Sequence, residues 1–474
     1  VIYLRGKLGL PTKEIIEMDA QVPSMYDADQ RDHHAEAVLE AFFAMQRTPA
    51  IALQRFYPPA AFPKVRSRLG GLPQLPDNLE WPVGESYGEQ APMHFLAQID
   101  CAELPRVDPD MPGQGMLFFF AMNDEEQIWD TDEPQQRVRV LYAAEVSAGQ
   151  DVRALPEGVR PILDEGPSEY AHRNPAWLLP DEEGPRVHVQ WPLVARRMDT
   201  WPDYLELPPG EQDTPYYDVY PSRLSEMRLG AAVAATGLFP RADAATQWER
   251  PTSLQWTFPV QWLRYQKDFP QVGIIIDRVA RVIGNERCKG AQGEVDYADV
   301  RAWVERAARI GWDEAADDAT REEFREWIVG HISDELGGLT LTDLGMGRAF
   351  TKGLLAAVAY AAGSPVAAGR IPAMMYRSMQ DEHLPFDESS RTHPDGRKRC
   401  AETRVHQMLG HVPRLHDVVP EVEGEGGEVC LLQLACDPAI DLVFGDCGQA
   451  TFWLSREDLR NRRFDRVVGV VESH

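Results

Sequence analysis

The sequence predicts an α+β fold: two related β-rich halves packed together as an internal duplication, with a helical insertion between them. Three observations predict it. First, Leu96-Ala97-Gln98-Ile99-Asp100-Cys101, a turn and Gly115-Met116-Leu117-Phe118-Phe119-Phe120 are echoed far downstream. The echo is Leu431-Leu432-Gln433-Leu434-Ala435-Cys436, then Gly448 and Gln449-Ala450-Thr451-Phe452-Trp453. Leu96, Gln98 and Cys101 fall on Leu431, Gln433 and Cys436, while Gly115 and Phe119 fall on Gly448 and Phe452. Each copy reads as strand, turn, strand, and self-similarity of this kind points to a repeated structural unit. Second, the apolar spacing changes to the helical period near residue 296 and stays there for about 60 residues. Third, Pro and Gly interrupt the chain on both sides of that stretch, as short strands and loops require.

Taken in order, four segments follow: 1–59, an N-terminal helical extension; 60–273, the first half; 274–385, the insertion; and 386–474, the second half. In the extension, Val38, Leu39, Phe42 and Phe43 make an apolar stripe on a helix over about 27–47. In the first half, Gly70-Gly71-Leu72-Pro73-Gln74-Leu75-Pro76 excludes a helix, because Gly frees φ while Pro fixes it and removes a donor. Trp81 in Glu80-Trp81-Pro82 reads as a packing anchor, since an indole buries a large area. Residues 94–101, 115–121 and 137–143 read as strands, and His188–Pro192 as a strand end. The rest of 145–261 reads as irregular, with a buried segment at Leu229–Val233.

The insertion supplies three helices. Asp296 is placed to cap one that buries Val300, Trp303, Val304, Ala307 and Ile310. Thr320 and Glu323 have capping-box spacing before Phe324, Trp327, Ile328 and Ile332. Leu354, Leu355 and Val358 mark the third, and the helices are expected outside the β body. In the second half, a polar loop over 385–399 leads to His406-Gln407-Met408-Leu409-Gly410 and the second strand pair. Ser455 and Asp458 then cap a short helix holding Leu459, and Val467–Val471 forms a last strand.

Composition narrows the function. With 48 basic and 75 acidic residues the formal charge is −27, the wrong sign for a surface that binds nucleic acid. It suits either the solubility of a well-solvated acidic surface or a basic protein partner reached by electrostatic steering. No membrane span or signal peptide is present in the sequence, whose longest apolar run is the alanine-rich Leu354–Ala362. Six cysteines without a C-x-x-C pair indicate free thiols in a cytoplasmic protein.

Two groups of these motifs resemble a known family. Gly70-Gly71-Leu72-Pro73-x-Leu75-Pro76, Trp81-Pro82 and Phe95–Ile99 resemble the N-terminal signature of the YwqG-like proteins. His406–Gly410, Leu431–Leu434, Gly445-Asp446-x-Gly448 with Phe452, and Ser455-x-x-Asp458-Leu459 resemble the C-terminal one. The resemblance implies an internally duplicated α+β domain of unknown function and, for some members, an immunity role beside bacterial polymorphic toxins. It transfers no catalytic residue. The chain departs from it in the long insertion and in Phe444, where the family carries Trp.

The candidate site is a pocket between the halves or a structural motif, formed by Trp81, Gln98, His406, Gln407, Gln433 and Asp446. A buried Gln must satisfy its amide, so each Gln either ties a strand to a loop or lines a pocket, and pockets favour domain interfaces. No metal or cofactor is expected: His393, Cys400, His406, His411 and His416 match no zinc spacing. No G-x-S-x-G, H-E-x-x-H or P-loop occurs, and Asp124-Glu125-Glu126 reads as a solvated loop. The reading is therefore a non-enzymatic interaction protein that binds a basic partner such as a toxin. The alternative is an enzyme or small-ligand-binding protein that uses the inter-half pocket.

Overall fold

A computed structural model describes residues 46–55, 65–86, 88–123, 137–147, 149–162, 186–201, 271–289, 296–329, 357, 361, 364–371, 406–412, 414, 420–437, 440, 442–444 and 448–472. Most of the first helix, Leu229–Val233, the third helix of the insertion, the polar loop, Cys400 and Asp446 fall outside these.

Twelve strands and four helices are used below. They are β1 (Thr48–Arg55), β2 (Arg68–Leu69), β3 (Val83–Ser86), β4 (Glu89–Pro92), β5 (His94–Asp100), β6 (Met116–Ala121), β7 (Val138–Ala143) and β8 (Trp191–Thr200). Then come α1 (Gly273–Lys289), α2 (Ala298–Ile310), α3 (Asp318–Val329), β9 (His406–Met408), β10 (Glu428–Ala435), β11 (Gln449–Ser455), α4 (Arg456–Asn461) and β12 (Val468–Glu472). Ten strands make one antiparallel sheet in the order β12-β11-β10-β9-β1-β8-β2-β5-β6-β7, and β3 and β4 form a separate hairpin.

The sheet order shows how the two expected halves are joined. The structure is mostly β, and both strand pairs belong to one sheet. The order is symmetric about the central β1–β8 pair, with β2, β5, β6 and β7 answering β9, β10, β11 and β12. Details match as well. Both β5 and β10 shift register at the equivalent leucines, between Phe95 and Ala97 and between Cys430 and Leu432. The Cys101 N–H donates to Gly115 O at 2.9 Å, and the Cys436 N–H to Gly448 O at 3.0 Å. The sheet curls so far that the equivalent Phe119 and Phe452 meet edge to face, centroids 5.3 Å apart. At the rims, Tyr142 of β7 packs on Phe464, 5.4 Å away, just ahead of β12.

Three further expectations change. Residues 48–55 lie in the segment read as a helical extension, yet form β1 and pair with β8 over eight positions and with β9 over three. Strand β8 begins at Trp191 rather than ending near it. Helix α3 is capped by Asp317, whose Oδ1 accepts the Thr320 N–H at 2.7 Å. Thr320 is already inside the helix and receives Arg306 instead, at 2.6 Å. The capping-box spacing was real, but an earlier acid fills the position.

The core explains the strand compositions. Phe118, Phe119 and Phe120 are consecutive and all fully buried, so β6 is covered on both faces and its sequence need not alternate. Phe119 points into the curl. Phe120 packs edge to face with Trp81 and Phe95, which places the Pro-rich segment on the opposite face. The helices do not stand apart on the outside: Ile275, Ile276, Val279, Ala280 and Ile283 of α1 belong to the same contiguous core as the sheet. Val300, Trp303, Val304 and Ala307 of α2 are buried as the spacing predicts, while Ile310 is half-buried.

Candidate functional site

Polar side chains inside the sheet arise at three matched positions. The first is the residue that enters the short inner strand. Ser67 Oγ accepts the Asp100 N–H at 2.9 Å, and His406 Nδ1 accepts the Ala435 N–H at 3.2 Å. The second is one residue on. The Arg68 guanidinium donates to Leu72 O, and Gln407 Nε2 to Leu409 O and His411 O at 3.1 and 2.8 Å. Both side chains hold a loop that turns through two consecutive positive-φ residues, Gly70-Gly71 and Leu409-Gly410. A Cβ on Gly70 would lie 2.2 Å from Val189 O, which makes glycine obligatory there. Burial pushes the Arg68 guanidinium down to about 10, with the nearby Arg66 charge adding to the effect.

The third position is the glutamine of the repeat. Gln98 is saturated: its Oε1 accepts the Gln74 N–H at 2.9 Å, and its Nε2 donates to Arg66 O and Gln74 Oε1 at 2.8 and 3.0 Å. Gln433 instead starts a relay, donating to Gln449 Oε1, while Gln449 donates to the buried Glu472, both at 2.9 Å. Among the described residues, Gln433 Oε1 has no hydrogen-bond donor.

The copies diverge most at one junction. His406 Nε2 lies 3.4 Å from Asp437 Oδ2, and since Nδ1 accepts a hydrogen bond, Nε2 carries the proton in the neutral ring. The same carboxylate oxygen is 2.7 Å from Arg55 Nε, both side chains being 1% exposed. The Arg55 guanidinium stacks 4.9 Å above the Trp191 ring. Asp437 also closes the turn to Leu442 through its backbone. One buried cluster thus joins β1, β8, β9 and the turn after β10. Nearby, the Val189 N–H donates to Ile440 O at 3.3 Å. A second buried group meets the 188–191 segment at His188. There the Asn123 N–H donates to His94 Nδ1 at 2.9 Å, and the Asn123 amide lies 3.3 Å from His188 Nε2.

Of the residues predicted from sequence, Gln407 and Gln433 stand opposite each other in the β9–β10 register, with His406 beside them. Gln98 and Trp81 serve separate contacts in the other half, Trp81 donating from Nε1 to Met93 O at 2.8 Å. Sequence reasoning missed Arg55, Trp191 and Asp437. A signal for Asp437 existed: the acid stands before the cysteine in Asp100-Cys101 and after it in Cys436-Asp437. Burial pushes the Cys101 thiol up to about 12, with the Asp100 charge adding to the effect, and also raises Cys430. These thiols are inert as nucleophiles.

The same division into two halves appears in comparison with known families. The model of a family described as a domain of unknown function (DUF1963) matches residues 67–228 and 351–472, more than half of the chain. The chain belongs to the DUF1963 family. No curated protein matches it. The two matched segments of this DUF1963 protein contain β2 to β8 and β9 to β12. Helices α1, α2 and α3 fall between them and β1 falls before them. The Asp437–His406 contact lies within family-matched sequence, whereas its cation, Arg55, comes from outside it.

Proposed function

We propose that this DUF1963 protein is a non-enzymatic binding protein of the YwqG-like, immunity type, which recognises a basic protein partner through its acidic surface in the cytoplasm. The observation that carries this reading is the formal charge of −27. Two features support it. The described candidate residues of the sheet are buried and bonded into the framework, the arrangement of a scaffold. Cys101 and Cys430 are buried thiols outside any disulfide, which suits a reducing compartment. The internal duplication then supplies a stiff body on which a surface can be presented.

A pull-down resolved by mass spectrometry at low and high salt identifies the partner, and association and dissociation rates are then measured across a salt series. Steering by charge acts mainly on association, and salt screens it over a Debye length of about 10 Å at 0.1 M. Association should slow steeply with salt while dissociation changes little; association insensitive to salt would overturn the electrostatic account.

One observation favours a second reading. His406 and Asp437 form an acid–base pair at the junction of the halves, as an enzyme or ligand site there would require. A turnover or ligand affinity lost in His406→Gln, with the fold retained, would establish that reading instead.

A further inference from the structure

We propose that Asn123, held between the imidazoles of His94 and His188, is an acid-released clamp on the 186–189 segment and, through it, on the junction of the halves. His94 opens β5 and lies opposite Ala121 of β6, so the chain leaving β6 brings Asn123 back against its ring. The Asn123 N–H donates to His94 Nδ1 at 2.9 Å, and His94 Nε2 lies 2.8 Å from Arg160 O. A carbonyl only accepts, so Nε2 carries the ring proton and Nδ1 is a bare acceptor. The Asn123 side chain reaches the other ring, its Nδ2–H donating to His188 Nε2 at 3.3 Å. One asparagine thus donates to two imidazoles, and both bonds need an unprotonated nitrogen. The rings meet edge to face with centroids 6.4 Å apart, and all three residues are at most 2% exposed.

A second proton on either ring would set N–H against N–H, and burial opposes the charge as well. The charged groups of the described segments that meet at this corner are Arg137, Arg160, Arg186 and Glu89. Arg137 O accepts the Met122 N–H at 2.9 Å, Arg186 donates to Val159 O, and the Arg160 guanidinium meets Glu89 at 3.0 Å. Three cations to one acid give a charged imidazole no support, and the two rings would repel each other once both were charged. His406 differs, because the Asp437 carboxylate faces its Nε2. The segment held here spans the halves: Gly71 N–H donates to His188 O at 2.9 Å, and Val189 N–H to Ile440 O at 3.3 Å. An ordinary imidazole gains its charge near pH 6.5. The clamp is therefore closed at neutral pH, and the stability it contributes is lost as pH falls below that value. His94, Asn123, His188 and Ile440 all lie in family-matched sequence, and the switch is independent of what the protein binds.

The test is hydrogen exchange of the full chain, read by mass spectrometry at about pH 7.5 and about pH 5.5 and corrected for the intrinsic effect of pH on exchange. In the parent, protection of peptides covering 120–123 and 186–191 should fall about tenfold more than that of β11. The paired variant His94→Asn with His188→Gln places amide oxygens where Nδ1 and Nε2 accept, but these do not titrate, and the excess fall should shrink below about twofold. His411→Gln removes a histidine that contacts Thr48 instead and should respond as the parent does. An equal acid response in the parent and the paired variant, or none in the parent, would overturn the clamp. Nitrogen resonances of isotope-labelled histidine in the parent give a check that does not depend on the variants folding. His94 and His188 should be neutral at about pH 7.5 and lose their acceptor signals over the interval in which exchange rises. A ring already charged at that pH, or an exchange step that leaves both rings neutral, would equally sink the proposal.

Discussion

At the scale of single residues, matched positions in the two halves have diverged in how completely they satisfy their polar atoms. Gln98 uses both ends of its amide and Gln433 one. Leaving a buried partner unsatisfied costs about 1–3 kcal/mol. Gln98→Leu should therefore destabilise by about that amount, and Gln433→Leu by distinctly less, as urea denaturation can measure; equal losses would mean that the missing acceptor contact at Gln433 is immaterial. The Arg55–Asp437 pair carries larger stakes. A buried ion pair adds little net stability, but removing one partner strands the other charge, at about 3–5 kcal/mol. Asp437→Asn should show that loss, and combining Arg55→Met with Asp437→Leu should recover most of it. If the double variant is as unstable as the single, the cluster depends on contacts beyond the pair.

Helix α3 shows the element scale. Its first turn starts from an exposed acid whose side chain satisfies a backbone N–H that the helix itself cannot. The hydrogen bond from the Thr320 N–H, helped by the Thr320 hydroxyl, holds the Asp317 carboxyl below its ordinary value of 3.8. Because the folded value is depressed, the stabilisation is present above pH 3.8 and fades as pH falls through the folded value. Asp317→Ala should lower the melting temperature at neutral pH, and the difference from the parent should shrink as the solution is acidified below that point. A difference independent of pH across that range would show that the cap acts through shape rather than charge.

For the whole molecule, the crossing of the chain between halves matters more than either half. Strand β1 precedes the first half in sequence but hydrogen-bonds β9 of the second as well as β8 of the first. Phe119 meets Phe452 inside the curl, and α1 shares their core. Neither half can keep its apolar surface covered once the other leaves. Thermal unfolding should therefore be one cooperative transition, with calorimetric and van't Hoff enthalpies in agreement. Two resolved transitions would mean that the halves are stable separately.

Local chemistry made much of this legible. The paired strands were readable because three apolar residues in a row, as at 118–120, can only be buried, and the repeat of Gln and Cys set their correspondence. The Ser455 cap was readable because its partner is three residues away, with Ser455 Oγ accepting the Asp458 N–H at 3.1 Å. What depended on distant partners was not. Thr48–Arg55 has no local feature that makes it a strand; it becomes one because β8 and β9 flank it. Arg55 looks like any surface cation until a carboxylate 382 positions later lies against it. The sequence by itself determined the repeated strand pairs and several of the local turns and caps, since those follow from each residue's own polarity and backbone freedom. Only the tertiary structure decided that the halves share a single sheet, and which polar groups meet inside it, because hydrogen-bond and ion-pair partners are chosen by proximity in space.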